Sequence, residues 1–90
     1  MPQYVIEREI PGAGNLSEQE LHDISAKSNG VLAGMDGRAT WLHSYVTGDK
    51  IYCVYEGADE AAIREHAELG GFPANSVSAV ATVISPATGH

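Results

Sequence analysis

Four histidines and twelve acidic residues in a chain of 90 make a divalent-cation site the first chemistry to consider. Imidazole nitrogen and carboxylate oxygen together suit Ni2+, and equally zinc, cobalt or copper. His43 stands in the run Trp41-Leu42-His43-Ser44-Tyr45-Val46, mid-strand by its pattern, with Glu7 and Glu56 as candidate carboxylate neighbours. An imidazole buried there needs a hydrogen-bond partner or a metal, and both uses stay open. His66 follows Ile63 by three residues and adjoins Ala67, on an apolar helical stripe where histidine is more often a core residue bonded to a backbone carbonyl. His22 lies one turn after Glu18, a spacing that permits an exposed ion pair or a weak metal site. His90 is terminal and outside every pattern.

Other chemistries find less support. Cys53 is the only cysteine, which rules out an internal disulfide and a thiolate zinc cage. Its strand position is expected to bury it without a basic neighbour, a setting that leaves a thiol inert. The glycine loop Pro11-Gly12-Ala13-Gly14-Asn15 lacks the spacing of a phosphate-binding fingerprint and the Lys-Ser/Thr that follows one. The sequence has no Ser-His-Asp order, no HExxH helix and no CxxC pair, so nothing in it marks an enzyme.

The elements that must hold these residues follow from punctuation and period. A strand opens at Tyr4-Val5-Ile6, runs to about Ile10 and breaks at Pro11-Gly12. Ser17-Glu18-Gln19-Glu20 is a capping box, and Leu21, Ile24, Ser28, Val31 and Met35 carry a helical stripe up to Gly34 and Asp36-Gly37. Two strands, 39–46 and 51–56, meet at a Gly48-Asp49 hairpin expected to use a primed turn. A second helix starts at Ala58 or Asp59 and stops at Gly70-Gly71. The alternation from Val77 to Ile84 predicts a last strand. The order βαββαβ predicts an α+β, ferredoxin-like domain over residues 1–90, with a four-stranded antiparallel sheet and two helices on one face.

Strict alternation through the hairpin pairs Val46 with Ile51, Ser44 with Cys53 and Leu42 with Tyr55 beneath the helices. Trp41, His43, Tyr45, Tyr52, Val54 and Glu56 then line the uncovered face, joined by Val5 and Glu7. One tryptophan and two tyrosines form a larger apolar patch than monomers usually leave bare, and they are the residue types interfaces select. A homodimer through the open sheet face is therefore expected, with Ser85 to His90 helping to cover that face or the partner's edge.

The charge of −7 argues against nucleic acid and anionic membrane as partners. No apolar stretch approaches the ~20 residues of a membrane span. The N-terminus has neither a basic region nor an apolar run, so no secretory signal is expected and a cytoplasmic location follows by elimination.

Several segments resemble a small bacterial family, long a domain of unknown function, that includes a nickel-binding protein from actinobacteria. They are Tyr4-Val5-Ile6-Glu7-Arg8 before Pro11-Gly12, the Trp41 to Val46 run, Lys50-Ile51-Tyr52-Cys53-Val54-Tyr55, and Ile63-Arg64-Glu65-His66-Ala67 before Gly71-Phe72-Pro73-Ala74. The resemblance covers essentially the whole chain and keeps the motif order. It implies a ferredoxin-like dimer, nickel held near the dimer surface, and a role in sequestering or detoxifying the metal. His43 and His66 fall inside these motifs; His22 and His90 do not.

The leading expectation is a non-enzymatic nickel or divalent-metal protein, with His43, His66, Glu7 and Glu56 as donors. The alternative is a dimeric enzyme or small-molecule binder whose pocket is lined by Trp41, His43, Tyr45 and Tyr52. A plain interaction module without ligand is the third reading, since this scaffold hosts many functions.

Overall fold

The computed structural model describes Met1–His90. Its elements run β1 (Gln3–Glu9), α1 (Glu18–Ala33), β2 (Ala39–Val46), β3 (Lys50–Gly57), α2 (Glu60–Gly70) and β4 (Ser76–Ala79), with short 3₁₀ turns at Ala13–Asn15 and Pro86–Gly89. The four strands form one antiparallel sheet in the order β2-β3-β1-β4. Helices α1 and α2 pack on each other and reach the same face, where Ser28 from α1 and His66 from α2 both touch Tyr55. This is the ferredoxin-like arrangement that the element order implies.

The caps act as their residue types predict. Ser17 Oγ accepts from the Glu20 amide at 3.1 Å while Glu20 accepts from the Ser17 amide at 3.1 Å, closing the capping box of α1. Asp59 caps α2 through the Ala62 amide at 2.8 Å. Gly71 ends α2 at φ +69°, a conformation that costs glycine little and a branched residue much. The glycine loop has a packing role: the Gly12 amide donates to Asp49 and the Gly14 amide to the Gly48 carbonyl, which docks the loop on the hairpin. A Cβ at Gly14 would lie 3.1 Å from Gly48 backbone. The hairpin itself has neither Gly48 nor Asp49 at positive φ, so it is not the primed turn expected.

The core lies between the helices and the sheet. Tyr4, Ile6, Ile51, Cys53 and Tyr55 point into it from β1 and β3, and Met35 and Ile63 close it from the helix side. One register assumption fails. Ser44, Tyr45 and Val46 pair as expected with Cys53, Tyr52 and Ile51, but a bulge between Trp41 and His43 leaves Leu42 without a partner. The extra residue turns Trp41 to the helix side, opposite Tyr55, and Leu42 outward, 39% exposed. Trp41 Nε1 donates to Ser44 Oγ at 2.8 Å there. The final strand is also shorter than the alternation implies. Tyr4 pairs with Ala79 and the Val80 amide reaches the Gln3 carbonyl, and beyond that point β1 offers no more backbone to pair with.

Candidate functional site

The registers arrange the open face in rows across the strands. Thr40, Glu56 and Gln3 form one row, His43, Val54, Val5 and Ser78 the next, and Tyr45, Tyr52, Glu7 and Ser76 the third. His43 is exposed, with the Tyr45 ring edge-on at a centroid distance of 5.2 Å. Glu56 is its diagonal neighbour, about 8 Å away at the backbone. Glu7 lies two strands over and one row along, about 12 Å from His43 by sheet geometry. It accepts from Lys50 Nζ, and this carboxylate holds the Lys50 ammonium above its usual range. A cation at Glu7 therefore competes with Lys50. No three His, Cys, Asp or Glu side chains converge anywhere in the chain.

Beyond β4 the chain passes over this face. His43, Tyr45, Val5 and Val54 form the floor, and Val80, Thr82 and Val83 the margin, of an open hollow of about 510 Å³. Its apolar groups are poorly covered: Tyr45 is 60% and Val83 75% exposed, and Ile84, next along the chain, is also 75% exposed. Tyr52 pairs with Tyr45 but does not line the hollow, and Trp41 lies on the far side of the sheet. The four residues of the predicted pocket thus do not share one cavity.

His66 belongs to the opposite face and is fully buried. Its Nε2 lies 3.0 Å from Ser28 Oγ, its ring stacks obliquely on Tyr55 at 5.0 Å, and Nδ1 has no partner. A bare lone pair costs less than a bare N–H, so the neutral tautomer with Nε2–H donating to Ser28 fits best. The partner is a side-chain hydroxyl, where a backbone carbonyl was expected. The sheet separates His66 from His43, so one ion cannot be shared between them.

Burial, followed by the nearby Arg8 charge, pushes the His66 pKa down. The unfolded chain therefore binds this proton first, and folding stability falls as pH drops below the ordinary histidine value toward the lower folded one. Urea unfolding between about pH 7.5 and pH 5.5 is expected to show this loss, and His66→Phe to flatten it. An unchanged slope in that variant would remove His66 as the cause. The Arg38–Glu65 pair is separable by pH: Arg38 donates to both Glu65 oxygens, at 3.2 and 2.5 Å, and holds that carboxyl below its usual range. Its contribution is lost only in stronger acid, as pH falls from the ordinary glutamate value through the lowered one.

Two features escape the sequence reading. Arg8 is 3% exposed, and its Nε donates to Cys53 Sγ at 3.4 Å, so the thiol does have a basic neighbour. The signal was its place two residues after Ile6 on a core-facing strand. His22 also pairs with Asp23 Oδ1, at 3.4 Å, and not with Glu18.

No helix is long and apolar enough to cross a membrane. No curated protein matches the sequence. The crystal structure of SCO4226 from Streptomyces coelicolor A3(2) superposes with a TM-score of 0.75, covering 91% of this chain and 99% of that one at 19% identity, a likeness of fold. The family model described as nickel responsive protein SCO4226-like matches residues 4–80, and the chain belongs to that family.

Proposed function

We propose that the protein is a non-enzymatic, cytoplasmic divalent-metal binder that holds nickel between two copies of itself, as a store or sink for the ion. Membership of a nickel-responsive family is the observation that carries this reading. His43 supports it as an exposed imidazole on the open face, with Glu56 on its diagonal. Two donors are too few for a tight site, and no third joins them within one chain. A second copy packed on the same face supplies the rest, drawn from its own His43, Glu56 or Glu7. The uncovered Tyr45, Val83 and Ile84 give that packing its apolar contact. His66 is not a donor in this proposal, because its buried nitrogen faces core side chains only.

Calorimetric titration with nickel tests the reading. The wild-type chain is expected to bind at micromolar or tighter affinity, and His43→Ala to bind at least about tenfold more weakly, the loss of one good ligand. Affinity that survives His43→Ala would mean that nickel only decorates an acidic surface.

A further inference from the structure

The helix side of the sheet holds a second, smaller cavity that the nickel reading does not use. About 70 Å³ opens between α1 and strands β2 and β3, walled by Leu21, Ile24, Trp41, Val46 and Ile51. Arg8, Ser28 and Tyr55 are also in its lining, and no acidic residue is. In a chain of net charge −7, this cavity carries one charge, and it is positive.

Arg8 is the anomaly. A guanidinium stays protonated in proteins, and burying it without a counter-charge is costly. The four ion pairs of the molecule leave Arg8 out. Its hydrogen bonds go to Cys53 Sγ at 3.4 Å, a weak acceptor, and to the Pro73 carbonyl at 2.5 Å. Its remaining face lies over the Phe72 ring at 5.4 Å, and Lys27 approaches the same ring at 5.5 Å. Two cations thus flank one aromatic side chain of the cavity wall. Cys53 and Pro73 take two of the five guanidinium N–H groups and the Tyr55 hydroxyl stands near the guanidinium as a further partner, which still leaves donors over.

We propose that this cavity binds a small monocarboxylate with a short apolar body, its carboxylate on Arg8 and its tail against Trp41, Leu21 and Ile24. Guanidinium and carboxylate match in charge and in planar, two-pronged geometry. Apolar walls favour a hydrocarbon body, and a single buried cation favours a monoanion over a dianionic phosphate. The Ser28 and Tyr55 hydroxyls bond each other at 3.5 Å and Ser28 also bonds His66, so this pair has one O–H left to donate to the carboxylate. Volume limits the enclosed ligand to a few heavy atoms.

Trp41 is the only tryptophan and lines the cavity, so its fluorescence reports occupancy directly. Titration of the full chain with butyrate is expected to give a saturable change in the millimolar range, with 1-butanol at least tenfold weaker. Arg8→Gln is expected to lower butyrate affinity at least tenfold. Ser25→Leu, which fills the cavity from α1 and leaves Arg8 in place, is expected to abolish the saturable change. Equal binding of acid and alcohol, a linear response to both, or full butyrate affinity in a folded Arg8→Gln or Ser25→Leu chain would each overturn the assignment. The acid–alcohol comparison decides the matter even where Arg8→Gln does not fold, and since it needs no metal, its failure leaves the nickel reading untouched.

Discussion

Tyr55→Ala is expected to cost about 3–5 kcal/mol of folding stability, the scale of emptying a large aromatic site from a packed core. Total stability for a domain of this kind is roughly 5–15 kcal/mol, so the variant loses a large part of its margin. Position explains the size of the effect. Tyr55 is 2% exposed on the central strand β3, under both helices, with the His66 ring on one side and Ser28 Oγ at 3.5 Å from its hydroxyl. Truncation removes ring contacts from α1, α2 and the sheet together and leaves Ser28 and His66 to find new partners. Tyr55→Phe separates packing from hydrogen bonding: it keeps the ring and should cost only about 0.5–1.5 kcal/mol. Equilibrium urea unfolding distinguishes the two. Similar losses in both variants would shift the weight from the ring to the hydroxyl network.

Tyr45→Asp should give the largest change in assembly. The proposed dimer buries Tyr45 on a two-fold interface, so one substitution acts twice and sets like charges facing each other. At about 2 kcal/mol for each lost aromatic anchor, the dimer weakens by about three orders of magnitude. Sedimentation equilibrium measures this, and a calorimetric nickel titration of Tyr45→Ala, which adds no carboxylate beside His43, should show affinity falling in parallel if the ion bridges the copies. Folding of the monomer should hardly change, because the side chain is already 60% exposed on a single chain. A wild-type chain that stays monomeric at high concentration would sink the shared-site proposal, and nickel affinity unchanged in a monomeric Tyr45→Ala chain would place the ion within one copy.

The architecture was legible because each element carries its own local punctuation. Ser17 with Glu20, Asp59, and Gly70-Gly71 mark helix ends through hydrogen bonds and backbone angles that span only a few residues. Register was legible only while period two held. From His43 to Val46 the pairing followed it, but the bulge at Leu42 leaves no mark in residue types, since Leu and Trp are both acceptable in a core. Trp41 therefore went to the wrong face. The length of β4 was hidden for a different reason: it is set by where β1 begins to pair, at Gln3 and Tyr4, and not by the apolar alternation that continues to Ile84. Arg8 was overlooked because arginine is seldom buried, although the strand period aims it inward. The candidate site divides along the same line. Strand parity put His43, Glu7 and Glu56 on one face, but the rows separating them, and the sheet between His43 and His66, come from long-range pairing.

The bulge at Leu42 also bears on how copies of this chain avoid one another. Strand β2 lies at one margin of the sheet and β4, four residues long, at the other. An unbroken margin offers free backbone N–H and C=O groups that can template a further strand, and then another, into a ribbon without end. An unpaired residue interrupts the β2 margin, while the chain peels away from the β4 margin after Ala79. Association by margins is thus discouraged on both sides, and the broad face is left as the available surface. In the proposed dimer, two faces that meet across a two-fold axis consume each other, so growth would stop at a pair where joined margins would run on into a fibre.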